Sequence, residues 1–198
     1  MTVGRTPPAT VVPDFLLAAT PSHTEQLADF RAELRHLDPD IQVDDSRLAR
    51  ALYSSDASIY RVVPAAVVHP YDEAQVRALC QAASAVGLPI TSRGAGTSCA
   101  GNAVGPGVIV DLSGMDEIAD VDVEHRCVRV QPGVVQEQLQ RVLRPFGLRY
   151  GPDPSTSSRC TIGGMIGNNA CGPRALAYGR TADTIESARL VIAGGEVE

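Results

Sequence analysis

The chain contains no lysine, and all 17 of its basic residues are arginine. A phosphate loop of the G-x-x-x-x-G-K type and a pyridoxal phosphate enzyme both depend on a lysine amine, so neither is housed in this chain. Cysteine is scarce and shows no pairing pattern. Cys80, Cys99, Cys127, Cys160 and Cys171 are odd in number and form no C-x-x-C, which argues against a disulfide framework and against a zinc site. They are expected to be reduced and mostly buried small side chains. No stretch approaches the ~18 apolar residues of a membrane span. The opening stretch, with Pro7, Pro8 and Pro13, lacks the basic start and apolar run of a secretory signal, so a cytoplasmic protein without a transmembrane segment is expected. Basic charge is also in deficit: 17 basic against 23 acidic residues leave a net charge of -6. Nucleic acid, which asks for a basic stripe, is not an expected partner. An anionic ligand would have to be held by local dipoles instead. The rest of the composition, 44% hydrophobic and 20% charged over 198 residues, is that of an ordinary globular protein with one core or two small ones.

Periodicity supplies the elements. Ser22 and Glu25 form a capping box, and Leu27, Phe30, Leu34 and Leu37 recur at helical spacing, predicting an amphipathic helix over residues 23–37. A second short helix is expected between Asp44 and Tyr53, followed by a loop at Ser54, Ser55 and Asp56. Val62, Val63, Val67 and Val68 form a β-rich run broken by Pro64 and ended by Pro70. Asp72 can cap a helix that stops at Gly87, with Val76, Leu79, Cys80, Ala83 and Val86 on one face. Ile90 and Thr91 then lead into a glycine loop, and Val108 to Leu112 read as the next strand, completing an α/β unit. Alternation over Ile118–Val123 and Arg126–Val130 predicts a hairpin. A helix carrying Val135, Leu139, Val142 and Leu143 follows Gly133 and closes at Gly147. Ala188 to Ala193 reads as a strand entering a turn at Gly194 and Gly195. A strand left so near the chain's end has an open edge, which suggests a fragment of a longer protein.

Two glycine-rich segments carry the chemistry. In the first, Arg93, Gly94, Ala95, Gly96, Thr97 and Ser98 are followed by Gly101 and Asn102. Gly94 and Gly96 satisfy the first half of the dinucleotide fingerprint G-x-G-x-x-G, but its third position is Cys99, and residues 101–107 hold too much glycine and proline to propagate the required helix. Successive backbone N–H groups can still make an anion nest, with hydroxyls from Thr97 and Ser98 and charge from Arg93. A purely structural turn is the alternative. The second segment spans residues 151–183, with Gly151, Gly163, Gly164, Gly167, Gly172 and Gly179 in a polar, nearly uncharged setting. Glycine is costly inside a regular element, so this cluster implies close approach of something flat and large. A flavin ring wants small residues against its face and amide donors at its rim; Gly163 and Gly167, four apart, and Asn168 and Asn169 suit that, with Thr161 near the rim. A ligand-free omega loop is the alternative here.

Together the motifs RGAGTS, VDLS, VQPGV, GPDPST, CTIGGMIGNNACG and YGRTAD resemble, in that order, the FAD domain of the vanillyl-alcohol oxidase (PCMH-type) flavoproteins. The branch they look most like is that of D-lactate dehydrogenases and glycolate oxidase FAD subunits, including long bacterial members fused to an iron-sulfur domain. The resemblance covers roughly residues 45–198.

It implies an α+β fold: an α/β subdomain followed by a mixed or antiparallel sheet subdomain, incomplete at the C-terminus. The divisions expected are a helical extension over 1–56, a first FAD-binding subdomain over 57–114 and a second over 115–198. By the match, Arg93 to Ser98 bind the pyrophosphate, with Gly101 and Asn102 adjoining. Pro152, Asp153, Thr161, Ile162, Gly163, Gly164, Gly167, Asn168 and Gly172 line the rest of the cofactor, and Gly133 falls near the adenine side. Some members attach FAD through a histidine in the first loop. None stands there in this chain, so noncovalent FAD is implied, with a Cys99 thioether as a discounted alternative. The implied activity is oxidation of a small D-2-hydroxy acid of the D-lactate or D-2-hydroxyglutarate type. Electrons pass to an iron-sulfur centre, in a partner or in missing parts of the chain, or to a quinone, and the inner face of the membrane is a conceivable peripheral station. His23, His36, His69 and His125 lie outside the motifs, so no catalytic residue is named, and those residues are expected beyond Glu198. A flavin oxidase of another alcohol or a sugar, or a non-catalytic cofactor-binding or interaction module, are the alternatives.

Overall fold

The computed structural model describes residues 23–196. The capping box at Ser22 and the proline-bearing start lie outside the described residues. In chain order the elements are α1 (His23–Leu37), β1 (Val43–Asp44), α2 (Arg47–Leu52), β2 (Ala66–Val68), α3 (Glu73–Val86), β3 (Ile90–Arg93), β4 (Val108–Asp111), α4 (Gln136–Leu143), α5 (Ile162–Gly167) and α6 (Ala175–Tyr178), with single 3-10 turns at Arg144–Phe146 and Thr181–Thr184.

One mixed sheet runs in the order β1-β2-β4-β3, with β2 and β3 both parallel to β4 and β1 antiparallel to β2. Side chains alternate across a strand, and this sheet uses both faces. Ala66, Val68, Val108 and Val110 join Leu27, Phe30 and Leu34 of α1 and Leu79, Ala82 and Ala83 of α3 in one core. Val67 and Ile109 point the other way, onto Ala49 of α2 and Tyr53. Helix α3 is bounded as its sequence predicts: the Asp72 carboxylate accepts from Gln75 N–H, and Gly87 closes the helix in the left-handed region at φ 67°.

The second half has its own core of buried side chains, Val134, Leu139, Leu143, Cys160, Ile162 and Met165. Its predicted hairpin is present as paired backbone at Ile118↔Val130 and Asp122↔Cys127, turning at Arg126 with φ 57°. Continuous strands do not form there.

Three expectations shift. The helix expected from Asp44 begins at Arg47, because Asp44 pairs with β2 and its carboxylate accepts from Ser46 N–H, while Ser46 caps the helix. Only Ala66–Val68 of the valine run is strand, since Pro64 has no N–H for a ladder. The expected strand from Ala188 to Ala193 is reduced to a single bridge residue, Val191, and the segment is tied to α3 through Arg189–Glu73 at 2.9 Å and Arg77 Nε to Gly195 O at 3.0 Å. The turn at Gly194 and Gly195, both at positive φ, does form.

Candidate functional site

The loop that leaves the C-terminal end of β3 and the side of α5 face each other across a cleft of about 530 Å³. Crevices at the carboxyl ends of parallel strands are where α/β sheets take ligands. The two glycine segments predicted from sequence are therefore two walls of one site. They touch behind the cleft: a methyl group on Gly94 would overlap the Thr161 hydroxyl.

The loop presents backbone. Among the described residues, none of the N–H groups from Gly94 through Cys99 donates to a protein acceptor. Gly96 sits at φ 64°, and a Cβ there would meet the Arg93 guanidinium at 2.5 Å. Consecutive unpartnered N–H groups around a left-handed residue make a concave anion receptor. Ser98 Oγ is spoken for, lying 3.0 Å from Asn102 Oδ1 and accepting from Ala100 N–H.

Helix α5 offers its flank rather than its end. Its first N–H groups are consumed internally: Ile162 donates to Val134 O, Gly163 to Pro132 O and Gly164 to the Thr161 hydroxyl. A Cβ on Gly163 would press on Pro132 at 2.7 Å, whereas one on Gly167 would meet nothing within 4 Å and project into open space. Asn168 lines the cleft at the helix end, its Nδ2 donating to Gly164 O at 2.9 Å. Asn169, at φ 44°, turns away and accepts from Ala182 N–H.

Among the described residues, Arg93 is the only charged side chain on the lining, and no carboxylate is there. In a chain of net charge -6 that segregation favours an anionic ligand. Arg93 is itself committed: it donates to Ala103 O at 2.9 Å and Ser55 O at 3.0 Å and lies 5.0 Å from the centre of the Tyr53 ring. It shapes the loop more than it offers free charge.

Of the residues expected to contact the cofactor, Arg93, Gly94, Ala95, Gly96, Thr97, Ser98, Asn102, Thr161, Gly163, Gly164, Gly167 and Asn168 line the cleft. Six others sit behind or away from it. Gly101 packs on Tyr60, Gly133 on the carbonyls of Leu112 to Met115, and Ile162 is in the second core. Pro152 O accepts from buried Gln136, and Gly172 abuts the Asp153 backbone. Asp153 belongs to a second cleft of about 480 Å³, where its carboxylate lies 3.1 Å from Arg174 and 3.9 Å from Arg149. Lining residues not predicted include Leu112, Pro132, Pro154, Thr156, Cys160 and Met165. All six stand inside motifs already singled out, although the apolar Leu112 and Met165 carry no chemical signal of their own. Burial pushes the Cys160 thiol up, so it is a poor nucleophile.

Flavin adenine dinucleotide fits such a surface. Its phosphates match the N–H row, its flat ring matches the glycine-bearing flank of α5, and no carboxylate among the described residues lines the cleft. Among the described residues, no group of three or more His, Cys, Asp or Glu could hold a metal ion, and no helix is long and apolar enough to cross a membrane.

Comparison with known proteins agrees. Residues 64–198 match a family model described as FAD binding domain. A D-2-hydroxyglutarate dehydrogenase of Pantoea ananatis is 41% identical over 152 residues, which cover 75% of this chain and 15% of that protein. Glycolate oxidase subunit GlcD of Bacillus subtilis is 35% identical over 172 residues, 85% of this chain and 37% of that one. The chain thus spans well under half the length of either relative. Among solved structures, an alkyldihydroxyacetonephosphate synthase superposes with a TM-score of 0.75 at 23% identity over 86% of this chain and 34% of its own, a likeness of fold. The α+β expectation stands, with one mixed sheet among the described residues; the sheet expected in the second half is present only as isolated bridges.

Proposed function

Because the chain belongs to the FAD binding domain family, we propose that it holds FAD noncovalently in the cleft between the β3 loop and α5, as the cofactor-bearing part of an oxidoreductase for small D-2-hydroxy acids. The observation that carries this reading is the row of unpartnered N–H groups from Gly94 to Cys99, facing the glycine-bearing flank of α5 across the cleft. The row and the Thr97 hydroxyl would take the pyrophosphate. Gly163, Gly164 and Gly167 would lie against the ring system, with Asn168 at its rim. Gly101, Gly133, Ile162 and Gly172 act from behind, by letting the walls approach.

FAD supplies a two-electron acceptor for the α C–H bond of a hydroxy acid. What this chain's residues do is hold and orient it. Pro132, Pro154, Leu112 and Met165 give the cleft apolar wall that would displace water from a bound ligand and so strengthen the dipoles facing it. The substrate class is supported by relatives named D-2-hydroxyglutarate dehydrogenase and glycolate oxidase subunit GlcD. The electron acceptor proposed is an iron-sulfur centre, in a partner or further along the parent chain, or a quinone, and the compartment proposed is the cytoplasm.

The test is to incubate the purified chain with FAD, pass it through gel filtration and record the visible spectrum. A retained flavin band supports the reading. A colourless protein that also fails to quench FAD fluorescence in a titration overturns it. The substrate class is tested by anaerobic addition of D-2-hydroxyglutarate, D-lactate and glycolate to the whole parent enzyme; bleaching by none of them defeats that half.

A further inference from the structure

The family match begins at residue 64, yet the loop beneath the cleft is gripped by residues that come before it. Five contacts made by Tyr53 to Tyr60 converge on the segment from Arg93 to Ala103. Ala57 N–H donates to Gly96 O at 3.0 Å. The Arg93 guanidinium donates to Ser55 O and lies over the Tyr53 ring. Ala103 N–H donates to Asp56 Oδ2 at 3.3 Å, while Asp56 Oδ1 accepts from Ser58 N–H at 2.9 Å. The Tyr60 ring occupies the space beside Gly101, where a Cβ would come within 2.7 Å of it. Tyr53 is anchored in turn by donating its hydroxyl to Asp111, at the end of β4.

We propose that residues 53–60 are a clamp that belongs to the cofactor site, with Asp56 and Tyr53 as positioning residues that set the curvature of the β3 loop. This rests on the cleft being the FAD site. The physical case is one of preorganisation. A nest binds an anion well only if its N–H groups already converge, and a glycine loop left to itself samples many other shapes. Gly96 is fixed at both its carbonyl, by Ala57, and its α carbon, by Arg93. The closing bond from Ala103 to Asp56 ties the far end of the loop to the same eight residues. The expected division at residue 56, which makes everything before it a helical extension, therefore cuts through a working part.

The experiment uses the full chain with Asp56→Ala, Asp56→Asn and, as a control in the first core away from the loop, Leu34→Ala. Three quantities are measured: the FAD dissociation constant by fluorescence quenching, Tm without FAD, and the rate of tryptic cleavage after Arg93 relative to that after Arg141. Asp56→Ala is expected to weaken FAD about tenfold, the factor that one charge-assisted hydrogen bond carries, and to raise the cleavage ratio by a similar factor. Asp56→Asn, which keeps an acceptor oxygen, stays within about threefold of the parent chain. Leu34→Ala lowers Tm without changing either readout. An unchanged dissociation constant and cleavage ratio in Asp56→Ala, or equal weakening by Leu34→Ala, overturns the clamp. If the parent chain binds no FAD, the reading of the cleft fails, and the cleavage ratio alone still decides whether Asp56 sets the loop.

Discussion

Gly94 and Thr161 stand in direct contact, 67 positions apart in the chain, and fix how closely the two walls of the cleft approach. Thr161 is pinned on its own side, since its hydroxyl caps α5 by accepting from Gly164 N–H at 3.2 Å. A side chain at 94 has nowhere to go, because the threonine cannot retreat without giving up the cap.

Gly94→Ala should therefore destabilise the chain by about 1–3 kcal/mol through overpacking. Thr161→Ala should cost about 1 kcal/mol through loss of the cap. The double variant should cost less than the sum, because removing the hydroxyl makes room for the new methyl. Urea unfolding of the four proteins checks this. Strict additivity would mean that the two residues do not meet.

Much of the fold is local and could be read directly. Asp72 and Gly87 mark the ends of α3 because a cap and a left-handed stop act within one turn. Gly163 and Gly167 were legible as one face of a helix for the same reason. What escaped is non-local. The ion pair of Asp153 with Arg174, 21 positions on, and its place in the second cleft are such features. Of the strand expected from Ala188 to Ala193, only the bridge residue Val191 forms. Ser55 and Ala57 bond the β3 loop through a carbonyl and an N–H, groups every residue has, so no residue type could announce them.

Gly167 offers a case where stability and binding should move in opposite directions. It ends α5 and lines the cleft, and a Cβ placed on it would have no neighbouring atom within 4 Å, so nothing in the protein opposes a methyl there. Gly167→Ala should stabilise the ligand-free chain by about 0.5–1 kcal/mol, from the smaller entropy lost by alanine in a helix. The same methyl stands in the space proposed for FAD and should weaken its binding. Thermal melts with and without FAD separate the two effects. A variant with higher Tm and unchanged FAD affinity would move the ring system away from this end of α5.

Tyr53 should be the last tyrosine of the folded chain to ionise. Burial first, and then donation of its hydroxyl to the Asp111 carboxylate, push its pKa well above the ordinary phenol value, with Arg93 pulling weakly the other way. Below about pH 10 the hydroxyl is protonated in folded and unfolded chain alike, and its contribution to stability is complete. Above that, the unfolded chain releases the proton first, so stability falls as pH rises toward the folded pKa. The chain has five tyrosines and no tryptophan, which leaves the phenolate absorbance band uncontaminated. Titrations of the parent chain and Tyr53→Phe should superimpose up to about pH 11, because Tyr53 adds no phenolate in that range. The variant should also lose part of the alkaline fall in stability. If Tyr53→Phe instead loses a fifth of the absorbance change over that range, the hydroxyl is free, Asp111 does not hold it, and the anchor beneath Arg93 is gone.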